Sequence, residues 1–183
     1  MSPILGIIAS QNYPRVTNSY ESIATVTVGS GGASSISFSS IPSTYKHLQV
    51  RCTVIPIGGD NMTIRFNGDT GNNYSCHQIQ GDGSTVQVAS DFNSNMYLMG
   101  LFQSGSSPFV GVYDFLDYAN TNKYKTVRGL AGTNDNSTST NFRVGFHSGL
   151  WQNTTAVNSI TMLSRYTSGF GQYSSFALYG IKG

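Results

Sequence analysis

Asp114 and Asp117 are the one close pair of carboxylates in the chain. Cleaving a glycosidic bond needs two carboxyl groups across one cleft, one as proton donor and one as base or nucleophile. Three residues apart on a strand, these two face opposite sides. Other catalytic templates fail on residue type. Glu21 is the only glutamate, so the zinc-protease pattern His-Glu-x-x-His cannot occur. No Lys follows a Gly, which removes the phosphate-binding Gly-Lys-Ser/Thr loop, and no Gly-x-Ser-x-Gly elbow is present. The expectation is a protein without enzymatic activity, the alternative being a constellation assembled from distant strands.

Three histidines, His47, His77 and His147, could converge on a metal only through the fold, because no short-spaced His or Cys pair exists. Asp60, Asp69, Asp82, Asp91 and Asp135 lie among Gly and Asn, where a carboxylate caps its own backbone. No Asp-x-Asp pair offers the alternating ligands of a calcium loop. No metal and no cofactor are expected. Trp151 and nearby Asn153 follow Gly149 in a turn-rich stretch and form the candidate glycan contact, since an exposed indole can stack on a sugar ring. The alternative for Trp151 is an aromatic plug closing one end of a sandwich.

The elements that would position these residues are strands. Val, Ile, Thr, Tyr, Phe and Trp number 63 against 22 for Ala, Leu, Glu and Lys, which speaks against helical bundles and α/β domains. Period-two alternation recurs every 10 to 15 residues between Gly, Asn, Asp, Pro and Ser clusters, the pattern of an all-β sandwich or barrel. About ten to twelve strands are predicted: 22–28, 34–38, 46–55, 62–66, 74–80, 84–89, 96–102, 109–118, 123–131, 141–147, 158–166 and 174–181. The clearest is 46–55, with Leu48, Val50, Cys52 and Val54 on one face and His47, Gln49, Arg51 and Thr53 on the other. Asn67-Gly68 ends the next one in a turn. Segment 109–118 is apolar on both parities, as expected of a strand covered on one face by a second sheet and on the other by a neighbouring subunit. A central strand within one chain reads equally well. Residues 21–183 are expected to form one domain.

Charged residues make up 10% of the 183, where about a quarter is usual, and the net charge of +2 comes from scattered basic residues. Nucleic-acid binding needs denser positive charge. No run approaches the roughly 20 apolar residues of a membrane helix. Residues 1–20 form an arm whose apolar stretch, Ile4 to Ala9, is too short and lacks the basic lead of a signal peptide. Ile4, Leu5, Ile7 and Ile8 are its candidate docking residues, the alternative being an edge strand of the same sandwich. Cys52 and Cys76 are expected as reduced core thiols, with a disulfide left open.

Four stretches speak beyond composition: Pro3-Ile-Leu-Gly-Ile-Ile-Ala-Ser-Gln11, the run from Ser35 to Arg51, Ile64-Arg-Phe-Asn-Gly-Asp-Thr-Gly-Asn-Asn-Tyr74, and Phe176-Ala-Leu-Tyr-Gly-Ile-Lys-Gly183. Together with Asp117 to Arg128 they resemble small virion proteins of tailed bacteriophages, notably phages of marine bacteria and cyanobacteria. The resemblance covers nearly the whole chain. It implies an antiparallel β-sandwich of jelly-roll type, exposed on a particle and trimeric. The expected role is a capsid decoration or cement subunit, assembled in the host cytoplasm and displayed on the virion surface. Its expected partners are its own copies and the major capsid protein or another virion protein. A tail or head-fibre adhesin recognising host surface glycan through Trp151 and Asn153 is the alternative.

Overall fold

A computed structural model describes residues 19–102, 107–133, 143–166 and 168–183. Among them are twelve strands and no helix: β1 (Tyr20–Thr27), β2 (Ser35–Phe38), β3 (His47–Val54), β4 (Asp60–Phe66), β5 (Tyr74–Gly81), β6 (Val86–Ser94), β7 (Tyr97–Phe102), β8 (Phe109–Leu116), β9 (Lys125–Thr133), β10 (Val144–Trp151), β11 (Ile160–Ser164) and β12 (Ser175–Ile181). Each overlaps a predicted segment, although β6 runs five residues past the expected 84–89 and β10 four past the expected 141–147. They form two antiparallel sheets, an eight-stranded one of order β1-β12-β3-β8-β9-β10-β5-β6 and a four-stranded one of order β2-β11-β4-β7. The all-β sandwich read from the alternation is the observed fold.

Alternation sets what the sheets bury, because successive side chains of a strand point to opposite faces. In β3, Leu48, Val50, Cys52 and Val54 turn inward, joined by Phe176 and Leu178 of β12 and by Phe109, Tyr113 and Phe115 of β8. The smaller sheet answers with Ile36, Phe38, Met62, Ile64, Phe66, Ile160 and Met162. Each such side chain contributes about 1.5–3 kcal/mol by leaving water. Tyr113 fits only because Gly111 and Gly129 lie beneath its ring, where a Cβ on either would collide with it. Asn67 and Gly68 both take positive φ, turning the chain from β4 in one sheet towards β5 in the other. Cys52 and Cys76 are buried thiols not joined in a disulfide, and burial pushes the Cys52 thiol up to about 12.

The two sheets differ in width. β7, the last strand of the smaller sheet, lies against β9, β10 and β5. β6 extends beyond it, and residues on both of its faces are exposed. Setting aside β5, β6, β9 and β10 leaves two four-stranded sheets, β1-β12-β3-β8 and β2-β11-β4-β7. The wide sheet is thus a symmetric frame with a four-strand extension on one side.

Candidate functional site

The extension carries a surface that the described residues leave uncovered. Cross-strand register joins Arg51, Val112, Leu130, Phe146, Ile79 and Val88 in one row running across the outer face of β3, β8, β9, β10, β5 and β6. From Val112 to Val88 the five apolar members are between 40% and 78% exposed. The adjoining row, Thr53, Val110, Gly132, Val144, Gly81 and Val86, alternates valine with glycine from Val110 onward. Its three valines are 50–72% exposed. Isolated exposed apolar residues are ordinary on a protein surface, but eight in two adjacent rows form a contiguous patch of the kind that marks an interaction site.

Charge is sparse here and locally engaged. The Arg51 guanidinium lies over the rings of Tyr20 and Tyr179, at 5.3 and 4.9 Å from their centroids. Its Nε donates to Gln49 Oε1 at 2.7 Å, and Gln49 Nε2 donates to Asp114 Oδ1 at 2.7 Å. Arg128 stands directly across from Asp114. Two shallow clefts indent the face. One of about 510 Å³ is bordered by Arg51, Val110, Val112, Leu130 and Val144. The other, about 570 Å³, is bordered by His77, Ile79, Val88, Arg128 and Phe146.

Trp151 is elsewhere, and its placement corrects the glycan expectation. Gly145, His147, Gly149 and Trp151 share the inward parity of β10, so the indole enters the core, 1% exposed. It packs on Phe66 and Tyr74, with centroids 5.4 and 6.2 Å away, and Nε1 donates to Asp69 Oδ2 at 2.8 Å. A ring so enclosed presents no face to a sugar, which leaves the plug alternative. Asn153 Oδ1 accepts from the Thr155 backbone N–H at 2.8 Å and thus shapes the adjoining turn. Burial pushes the Asp69 carboxyl up, but hydrogen bonds from Asn73, the Gly71 backbone, Trp151 and Asn153 outweigh this and hold its pKa below the usual carboxylate value.

The remaining candidates scatter. His47 Nδ1 accepts from the Asp117 backbone N–H at 3.0 Å, His77 meets Phe92 edge-on at 5.2 Å, and His147 is buried in β10. Among the described residues, no group of three or more His, Cys, Asp or Glu could hold a metal ion. Asp114 points to the outer face while Asp117, at the turn after β8, pairs with Lys46 and Lys123. Asp82 caps its turn as expected, accepting from the N–H groups of Ser84 and Thr85 at 2.9 and 2.7 Å. Asp91 does not, because β6 continues through it and its carboxylate sits 3.6 Å from Arg165. Asp60 is buried in β4, accepting from Ser164 Oγ and the Tyr166 N–H. Asp135 and the arm residues Ile4, Leu5, Ile7 and Ile8 lie outside the described residues.

Two buried polar groups carry no sequence signal of their own. Lys125, at an inward position of β9, sends Nζ to the carbonyls of Asn120, Lys123 and Thr154 at 2.5, 3.0 and 2.9 Å. Burial, with Lys123 nearby, lowers its pKa. Burial alone brings His147 down to about 4. Both act on the fold from inside, leaving the outer face of the extension as the candidate site. No described helix is long and apolar enough to cross a membrane. No family model matches the chain, and no curated protein matches it either.

Proposed function

We propose that the protein is a non-enzymatic bacteriophage virion surface subunit, a decoration or cement protein acting as a homotrimer on the capsid. The observation that carries this reading is the exposed, sparsely charged apolar face of β8-β9-β10-β5-β6. Such a surface calls for protein partners, and a protein built to assemble has a use for it. The likeness of the four sequence stretches to small virion proteins of tailed phages supplies the setting. We read the two four-stranded sheets left by setting aside β5, β6, β9 and β10 as a jelly roll, with these four strands as additions. Residues 2–12, with Ile4, Leu5, Ile7 and Ile8, serve as the docking arm for a virion partner in this reading. Three arms on one trimer would hold by avidity where one would let go. The adhesin alternative has lost its stacking aromatic, since Trp151 is buried.

Mass-resolved light scattering of the purified protein, followed by co-sedimentation with undecorated capsids, tests the reading. A three-chain mass that pellets with capsids is expected. A trimer that stays in the supernatant overturns decoration, and a single-chain mass overturns the assembly premise. Removing residues 2–12 is expected to abolish pelleting while the β signal in circular dichroism persists.

A further inference from the structure

We infer that Asn67 is a latent self-modification site, held closed to deamidation by the clamp its side chain makes on residues 156–159. Asn67-Gly68 is the one Asn-Gly pair in the chain. In such a pair an asparagine side chain reacts most readily with its own backbone, because the glycine nitrogen has no neighbouring Cβ to hinder it. The inference concerns the chain itself and stands whether or not it decorates a capsid.

The reaction needs only water and a base. Gly68 N gives its proton to the base and attacks Asn67 Cγ, the Cγ–Nδ2 bond breaks, and Nδ2 takes up a proton and leaves as ammonia. Water then opens the five-membered succinimide at either carbonyl. One opening yields aspartate, and the other yields isoaspartate with the Cβ of residue 67 inserted into the main chain. Burial does not prevent this, since Gly68 is exposed and Asn67 half-buried. Nothing crowds the nucleophile either, because a Cβ placed on Gly68 would meet no atom within 4 Å.

Geometry opposes it instead. Asn67 has a φ of 52° and Gly68 of 68°, and the Asp69 N–H donates to the Phe66 carbonyl at 2.8 Å, closing a tight turn. At such a φ the left-handed region has ψ of about +30 to +60°. That sets Gly68 N nearly opposite Asn67 Cβ about the Cα–C bond. Ring closure needs the two on the same side, so the turn must swing open first. The side chain resists the swing: Nδ2 donates to the Ala156 carbonyl at 2.9 Å, while Oδ1 accepts from the N–H groups of Asn158 and Ser159 at 2.9 and 3.1 Å. The Asn67 N–H adds a fourth bond, to the Ser159 carbonyl at 3.0 Å. Val157 fixes the clamped segment, with its side chain in the core and its N–H donating to the Tyr118 carbonyl at 2.9 Å.

The same clamp makes the modification one-way. An aspartate at 67 has an oxygen where Nδ2 donated, facing the Ala156 carbonyl, and isoaspartate lengthens a two-residue turn by one backbone atom. Neither product restores the donor to Ala156. The site therefore records, permanently, any opening in which the lead into β11 lets go of the turn after β4.

The test follows deamidation in mildly alkaline buffer, with the protein folded and with it unfolded in guanidinium chloride. Cleavage before aspartate releases residues 60–68, whose mass rises by one dalton when Asn67 reacts, and fragmentation separates Asn67 from Asn61. The folded rate at Asn67 is expected to be at least about tenfold below the unfolded rate. Equal rates overturn the inference. Asn158→Pro then removes one donor to Oδ1 and keeps the carbonyl that accepts from the Ile41 N–H. It is expected to raise the folded rate at least about threefold with the near-ultraviolet circular dichroism of the aromatic core kept. Should it fail to fold, Val157→Ala loosens the same segment and carries the same expectation. An unchanged rate in the folded variant overturns the inference, because the clamp would not be what holds the site closed. Val54→Ala thins the core at the opposite end of β8 from Tyr118 and should leave the rate unchanged. An equal rise there assigns the opening to unfolding of the whole chain and likewise overturns the clamp.

Discussion

β3 and β6 belong to the same sheet and contain similar residue types, yet they live in different surroundings. β3 lies between β12 and β8, with Leu48, Val50 and Val54 at 0% exposure and a short polar chain of Gln49, Arg51 and Asp114 on its outer side. Among the described residues β6 has a neighbour on one edge alone, and its Val86 and Val88 are 72% and 78% exposed. The valines of β3 are bound up with the stability of the single chain. Those of β6 add almost nothing to it, since they are as wet after folding as before. One residue type thus serves cohesion at one end of the sheet and is free for adhesion at the other. An edge strand without Lys or Pro would be a hazard on a solitary protein.

Substitutions can break this contrast, beginning at the covered end. Trp151→Ala removes an indole packed on Phe66 and Tyr74 and leaves Asp69 short of a donor, so a loss of about 4 kcal/mol is expected by urea denaturation. A loss below about 1 kcal/mol would place the ring outside the core. Acid should come next. The folded-state pKa of His147 is lowered to about 4 from 6.5 by burial, so the unfolded chain binds the proton more readily. Its contribution is fully present above pH 6.5 and is lost as the pH falls towards 4, roughly 3 kcal/mol in all. His147→Gln should flatten that part of a stability-against-pH curve, and an unchanged slope would assign the acid sensitivity to carboxylates instead.

Gly129→Ala drives a methyl into the Tyr113 ring and should cost about 2 kcal/mol by the same denaturation measurement. At the uncovered end the effects on a single chain shrink. Val88→Ser, measured at a dilution where copies separate, should change stability by less than about 0.5 kcal/mol. A larger loss would show that β6 is cohesive after all, and the contrast with β3 would collapse.

Much of the fold was readable because period-two alternation is a local property. Leu48, Val50, Cys52 and Val54 mark their own face without knowledge of any other strand, and the same holds for Ile36 and Phe38 in β2 and for Met62, Ile64 and Phe66 in β4. What the alternation could not carry was which strands would meet. The outward valines of β8 looked like those of any strand buried on both faces, and only the cross-strand register with Leu130, Phe146 and Ile79 makes a surface of them. Trp151 misled because Gly149 and the following Gln-Asn suggested a turn, whereas β10 runs to the indole itself. Alternation gave no warning, because the inward residues before Trp151 are Gly145, His147 and Gly149 while Val144 and Phe146 face outward. Lys125 hid for another reason. A lysine in a strand reads as solvent-facing, and the three carbonyls that accept its protons come from loops whose convergence is tertiary.

The pairing of β1 with β12 sets a clock on production. Tyr20 meets Ile181, and β12 lies between β1 and β3, so the early strands have no completed sheet until the last one has been made. A ribosome adding about 5–20 residues per second needs on the order of 10–30 s to travel from one to the other. For that interval Leu48, Val50 and Phe66 have no finished core to enter. Slow translation or a late truncation should therefore harm yield far more than any change on the outer face of β6.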